Sequence, residues 1–178
     1  MEFEVVQGDI TRLDVDAIVN AANNGMRGGG GVDGAIHRAA GRGLLEECVE
    51  RFPDGLATGA AGWTTGHRLP ARWVVHVVGP VYDGVGANRH QLVSCYTSAL
   101  AVADGLVEEN GLDGFSMAFP LVSAGVYGWP RDDAIDTQVT TLATTPTRVT
   151  RSVLVGFGGS AYHALVETVA RVTRRSDG

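Results

Sequence analysis

The 178-residue chain contains no lysine; all 14 of its basic side chains are arginine. That absence excludes a lysine on a nucleotide phosphate, a Schiff-base lysine and a lysine general base. All-arginine usage also fits a GC-rich bacterial genome. Cysteine is scarce: Cys48 and Cys95 both sit in helix-like patterns, which points to buried structural thiols rather than a disulfide or a nucleophile. The histidines, His37, His67, His76, His90 and His163, include no pair at metal-ligand spacing, so no metal or other cofactor is expected. No G-x-S-x-G elbow is present, which argues against a serine hydrolase. No apolar run is long enough to span a membrane, and Met1-Glu-Phe-Glu-Val lacks the basic and apolar regions of a signal peptide; the expected location is the cytoplasm. The net charge of −6 argues against a broad nucleic-acid surface.

Glycine, by contrast, is abundant at 25 residues, which suggests tight turns and loops that approach a ligand. The length fits one domain with a sound core, assigned to residues 1–174 with a short tail at 175–178. Strand and helix patterns alternate. Strands are expected at 3–6, 17–20, 62–65, 73–78, 116–121 and 152–157, and helices at 32–40, 44–52, 90–107, 132–142 and 160–172. Fraying is expected over 174–178. Strands separated by helices indicate an α/β sandwich with a largely parallel sheet. In such sheets ligands sit where loops leave the carboxyl ends of strands. Segments 8–11, 20–33, 123–130 and 157–160 do that, and their convergence on one edge would make a single site.

The most informative segment is Asn20-Ala-Ala-Asn23-Asn-Gly-Met-Arg-Gly28-Gly29-Gly30-Gly31-Val32-Asp33-Gly34. An apolar run stops at asparagine, four glycines follow, and an acid opens a helix. Bare backbone N–H groups and the positive end of a helix dipole bind anions without lysine or arginine. The amides of Asn20 and Asn23 and the Asp33 carboxylate can reach sugar hydroxyls, so the local reading is a site for a phosphate-bearing sugar. Gly29, Gly31 and Gly34 also match G-x-G-x-x-G. A dinucleotide fold needs these glycines directly after the strand, however, and about eight residues intervene here.

Asp9 is either a turn residue or an acceptor for an exocyclic amine such as that of adenine. Ser123-Ala124-Gly125-Val126-Tyr127-Gly128-Trp129-Pro130 follows a buried strand. Its N–H groups suit a diphosphate, and Tyr127 and Trp129 either offer faces to sugar or base or pack inward in a turn. Phe157 ends the last strand, either stacked on a base or packed in the core. His37 lies one helical turn after Asp33 on the same face and reads as a packing residue.

With these residues assembled, the chain resembles the macrodomain family, and within it the MacroD-type branch. The resemblance covers about residues 4–172. It rests on Gly8-Asp9-Ile10-Thr11, Asn20-Ala-Ala-Asn23, Gly28 through Gly41, Leu69-Pro70 ahead of His76-Val-Val-Gly-Pro80, and Ala118-Phe-Pro120 ahead of Gly125-Val-Tyr-Gly128. It implies a three-layer α/β/α sandwich around a mixed sheet of six strands, and ADP-ribose as ligand. Asp9 and the Ile10 backbone would bind adenine. Asn23 and the glycine run, with Gly30, Gly31 and Val32, would hold the distal ribose. Ser123, Ala124, Gly125, Val126 and Tyr127 would form the diphosphate loop, and Phe157 would stack on adenine. Asp33, as the acid, and Asn23 would be the catalytic residues. The implied activity is hydrolysis of the ester joining ADP-ribose to protein glutamate or aspartate, and deacetylation of O-acetyl-ADP-ribose. The implied partners are ADP-ribose and mono-ADP-ribosylated proteins, with a monomer expected. A binding-only reader of ADP-ribose is the alternative. The chain departs from the branch at Ala124, where threonine is common, and at Asn24-Gly-Met-Arg27.

Overall fold

Short runs of valine, isoleucine and alanine build the sheet in a computed structural model that describes residues 1–176. Its strands are β1 (Glu2–Gln7), β2 (Ala17–Ala22), β3 (Ala61–Thr65), β4 (Trp73–Val78), β5 (Ser116–Phe119) and β6 (Arg151–Gly156). They lie in the order β1-β6-β5-β2-β4-β3. The first five are mutually parallel, and β3 closes one edge antiparallel to β4. Every residue of β4 is buried, as a strand covered on both faces requires.

Five helices cover the sheet: α1 (Gly31–Ala40), α2 (Arg42–Arg51), α3 (Arg89–Asn110), α4 (Arg131–Thr144) and α5 (Gly159–Ser176). The twofold alternation of strand side chains assigns them to two layers. Ile18 and Ala22 of β2 and Val74 and Val78 of β4 pack with Ile36, Ala40, Leu44 and Cys48 of α1 and α2. Ala17, Val19, Val75 and Val77 pack on the other face with Leu92, Tyr96 and Leu100 of α3, Val139 of α4 and Leu165 of α5. Each fully buried aliphatic side chain contributes about 1.5–3 kcal/mol. The three-layer sandwich and the mixed six-stranded sheet match expectation.

Three expectations are corrected. First, β2 runs on to Ala22 because its parallel ladder with β4 continues through Asn20↔His76, Ala21↔Val77 and Ala22↔Val78. Asn20 is therefore inside the strand rather than at its end. Second, α3 continues to Asn110 and stops where Gly111 takes a left-handed cap at φ 60°. Third, α5 continues to Ser176, so part of the expected tail is helical; residues 177–178 lie outside the described residues. Cys48 and Cys95 are buried and free, and burial pushes their thiols up to about 11 and about 12. No helix among the described residues is long and apolar enough to cross a membrane.

Parallel strands aim their carboxyl ends at one edge. The loops after β1, β6, β5 and β2 therefore open side by side in that order. From β1 to β2 is three strand intervals, about 14 Å at about 4.8 Å each.

Candidate active site

The glycine run enters α1 through left-handed backbone at Gly28 (φ 84°) and Gly31 (φ 59°), which favours glycine. Gly30 is the N-cap and offers no side-chain hydrogen bond, so the first-turn N–H groups stay available. The helix lies hard against the loop: a β-carbon on Gly34 would stand 2.5 Å from the Gly29 carbonyl oxygen.

Asp33, in the first turn of α1, is only 4% exposed. Its two oxygens have different surroundings. Oδ1 accepts from Asn20 Nδ2 at 2.8 Å and lies 3.4 Å from His37 Nε2. Oδ2 lies 3.1 Å from the point a β-carbon on Gly29 would occupy, and Asn23 Nδ2 lies 3.2 Å from that same point. One oxygen is thus held from behind, and the other faces the glycine run beside Asn23. Asn23 also donates to the Gly28 carbonyl at 3.0 Å, which keeps the run folded over the acid.

Asn20 is corrected here. It has no exposed surface, so its amide supports Asp33 from beneath instead of reaching a ligand. His37, expected to pack, lies beside the Asp33 carboxylate on the same face of α1. The signal was available, since residues four apart on a helix share a face.

The segment Asn24-Gly-Met-Arg27 is tied down on both sides. Met26 is buried. The Arg27 guanidinium donates to the carbonyls of Cys48, Phe52 and Pro53, capping the carboxyl end of α2. Asn24 donates to the Leu56 carbonyl and to Thr58, and its own carbonyl accepts from the Leu56 N–H. The glycine run is anchored before its first glycine.

The loop after β5 turns sharply at Ser123, whose φ is 66°. Two backbone bonds close it, Gly128 N–H to Gly125 and Trp129 N–H to Ser123. Among the described residues, the N–H groups of Ala124, Gly125, Val126 and Tyr127 donate to nothing within the protein. Gly79, at the end of β4, makes room for this turn: a β-carbon there would collide with Ser123 Oγ and Val122 Cγ1. Of its two alternatives, Trp129 takes the inward packing. It is 2% exposed, donates through Nε1 to Asp133 Oδ2 at 2.7 Å, and packs its ring on Tyr82. Tyr127 is half-buried, and its carbonyl accepts from the Tyr82 N–H. Val126 is fully exposed, and Phe157, beyond β6, is 96% exposed rather than packed in the core.

Asp9 follows β1, the neighbour of β6. It caps the 3-10 turn Ile10–Arg12, accepting at Oδ1 from Thr11 N at 2.9 Å and Thr11 Oγ1 at 2.7 Å. Those bonds, with Arg12 nearby, hold its carboxyl below the usual carboxylate range. The capping geometry occupies Oδ1 and leaves the exposed carboxylate able to accept again. Ile10 is buried beside it. No group of three His, Cys, Asp or Glu side chains among the described residues is arranged to hold a metal.

The architecture is that of a three-layer α/β/α domain whose strand-end loops open on one edge of the sheet. A family model described as Macro domain matches residues 19–138, more than half of the sequence. The chain belongs to the macro domain family. A macro domain-containing protein of Streptomyces coelicolor is 49% identical over 164 residues, covering 90% of this chain and 94% of that protein. The ADP-ribose glycohydrolase MACROD2 of Homo sapiens is 50% identical over 135 residues, covering 75% of this chain and 30% of that longer protein. Among solved structures, an Oceanobacillus iheyensis macrodomain with ADP gives a TM-score of 0.86 at 35% identity, covering 97% of this chain and 92% of that one. A Trypanosoma brucei macrodomain in complex with ADP-ribose gives 0.81 at 38% identity, covering 94% and 69%.

Proposed function

We propose that this protein is a mono-ADP-ribosyl hydrolase that cleaves the ester joining ADP-ribose to a glutamate or aspartate side chain. It also removes the acetyl group of O-acetyl-ADP-ribose. The observation that carries this reading is the divided environment of Asp33: Oδ1 is held by Asn20, and Oδ2 faces the glycine run beside Asn23. A binding-only reader has no need of a buried acid held in this way. The names of the MACROD2 relatives support the same class of reaction.

In this reading ADP-ribose lies along the strand ends. Asp9 and the Ile10 backbone take the adenine, and the exposed Phe157 ring stacks on it. The unpartnered N–H groups from Ala124 to Tyr127, entered through Ser123, take the diphosphate. Asn23 and the backbone of Gly30, Gly31 and Val32 take the distal ribose. At the anomeric carbon a carboxylate is a good leaving group: a water oxygen bonds to that carbon, the bond to the glutamate or aspartate oxygen breaks, and neither a metal nor a strong nucleophile is needed. Asp33 Oδ2 orients the attacking water or the distal ribose, and a phosphate oxygen of the ligand accepts the water proton. The modified protein meets the cleft only through its single modified side chain, so the acidic charge of the chain is no obstacle.

Incubation with a glutamate-linked mono-ADP-ribosylated protein, followed by mass spectrometry, tests the reading. The expected products are free ADP-ribose and the restored glutamate, formed equally well in EDTA. Intact conjugate after prolonged incubation, with tight ADP-ribose binding, would leave the protein a reader.

Adenine selection has its own test. Asp9→Ala is expected to cost about 1.5–3 kcal/mol of ADP-ribose binding, the scale of a hydrogen bond to a charged group. The preference for ADP-ribose over its inosine analogue should shrink with it. Calorimetric titration of both ligands reads the difference, and an unchanged preference would reduce Asp9 to a turn cap.

A further inference from the structure

Behind Asp33 the polar chain continues into the apolar core. Asn20 Nδ2 carries two hydrogens, and both are used: one goes to Asp33 Oδ1 at 2.8 Å, the other to His76 Nδ1 at 3.1 Å. His76, in the middle of β4, has no exposed surface. Its other ring nitrogen, Nε2, lies 2.9 Å from Thr64 Oγ1 on β3. Asn20 and His76 meet because they are register partners on the face covered by α1 and α2. The hydrolase reading assigns no role to His76 or Thr64.

The direction of these bonds follows from the end that is fixed. The Asp33 carboxylate only accepts, so the Asn20 amide must present N–H to it. The second N–H then points at His76 Nδ1, which must be bare, and the ring proton sits on Nε2 and is donated to Thr64. Rotating the Asn20 amide by half a turn would set Oδ1 against two acceptors and leave two N–H groups buried without partners. In the observed orientation only Oδ1 lacks a partner. Two unmet donors cost more than one unmet acceptor, so both neighbours select the same orientation.

We infer that His76 is a positioning residue: as a bare Nδ1 acceptor it holds the Asn20 amide with its N–H groups toward Asp33, and so keeps the Asp33 carboxylate presented to the glycine run. The surroundings keep the ring neutral. Burial between the strands, first, and the nearby His37 of α1, second, lower its pKa to about 3, against a smaller opposing effect of Glu47 on α2. Phe52, just beyond α2, sets its ring edgewise on the imidazole. Without the His76 acceptor, Asn20 is held by Asp33 alone and can turn away, and Oδ1 of Asp33 is left with His37. Loss of position near a reacting atom shows in turnover rather than in ligand affinity.

The inference rests on the hydrolase reading for its catalytic consequence, and two substitutions separate it from a purely structural role. An asparagine side chain can place an acceptor where Nδ1 stands, and a glutamine side chain can place its amide where Nε2 stands. His76→Asn therefore preserves the bond from Asn20 and loses Thr64, whereas His76→Gln does the reverse. The expected result is that His76→Asn keeps kcat within about 3-fold of wild type, while His76→Gln loses about 10-fold or more with KM and ADP-ribose affinity within about 2-fold. A structural role predicts instead that kcat follows melting temperature in both, with the smaller asparagine the worse. Equal losses in the two variants, or a loss confined to KM, would overturn the inference.

Nitrogen NMR of the wild-type imidazole provides a readout independent of activity and of variant folding. A protonated Nε2 and a bare Nδ1 near neutral pH are expected, and the opposite tautomer or a charged ring would overturn the inference. Wild-type protein that binds ADP-ribose but releases none from the conjugate would defeat the hydrolase reading and the catalytic consequence together. The tautomer measurement would then still decide whether the hydrogen-bonded chain exists.

Discussion

Asp33→Ala is expected to slow single-turnover release of ADP-ribose from modified protein at least about a hundredfold, roughly 2.7 kcal/mol of barrier. ADP-ribose affinity should change far less, because the adenine and diphosphate ends of the proposed cleft lie on other strands. As a mere first-turn acid, Asp33 would be worth about 1 kcal/mol of stability. Its surroundings predict a larger loss. It is 4% exposed and accepts from an Asn20 amide that has no exposed surface, so its removal leaves a buried donor unmet, at about 1–3 kcal/mol. Thermal melting therefore belongs beside the kinetics. The rate is to be read where the variant is fully folded, and Asp33→Asn serves as the same-sized companion. A folded Asp33→Ala protein that hydrolyses at the wild-type rate would defeat the proposed mechanism.

Gly125→Glu is expected to weaken ADP-ribose binding at least about a hundredfold while leaving the melting temperature nearly unchanged. A β-carbon on Gly125 meets nothing within 4 Å, and the residue is exposed, so the fold has no reason to resist the substitution. The new carboxylate would stand among N–H groups that await an acceptor, and would repel a diphosphate in the same place. Like charges a few ångströms apart at a protein surface oppose each other by a few kcal/mol. Salt should recover part of the loss, because screening acts on such a charge pair. Titration calorimetry at two ionic strengths reads both effects. Normal affinity in the variant would remove this loop from the diphosphate site.

The convergence of loops was legible from the sequence because alternating strands and helices force parallel pairing, and parallel pairing puts every strand-end loop on one edge. The pairing of Asp33 with His37 was equally legible, at four residues apart on a helix. Asn20 was not. Asparagine is a poor strand former and marks an end in a pattern reading. Only the ladder to β4 shows that the strand runs through it and turns its side chain beneath α1. His76 was hidden for the same reason, as a lone histidine among valines carries no spacing signal. Trp129 stayed open between ligand and core because Gly-Trp-Pro reads as a loop in any context. Its anchor, Asp133, lies only four residues on, in the first turn of α4, where carboxylates are common for reasons of the helix dipole alone.

The sheet also works as a ruler. Its strand spacing is fixed by backbone hydrogen bonds and not by side chains, so the span from β1 to β2 is insensitive to most substitutions in the loops above it. In the proposed binding mode, a nucleotide that carries adenine and diphosphate but no second sugar would fill the first part of that span and stop short of Asp33. Such molecules should compete for the cleft and remain unchanged in it. Selection by length would then precede selection by chemistry, and a cell rich in shorter adenine nucleotides would meter this domain through occupancy alone.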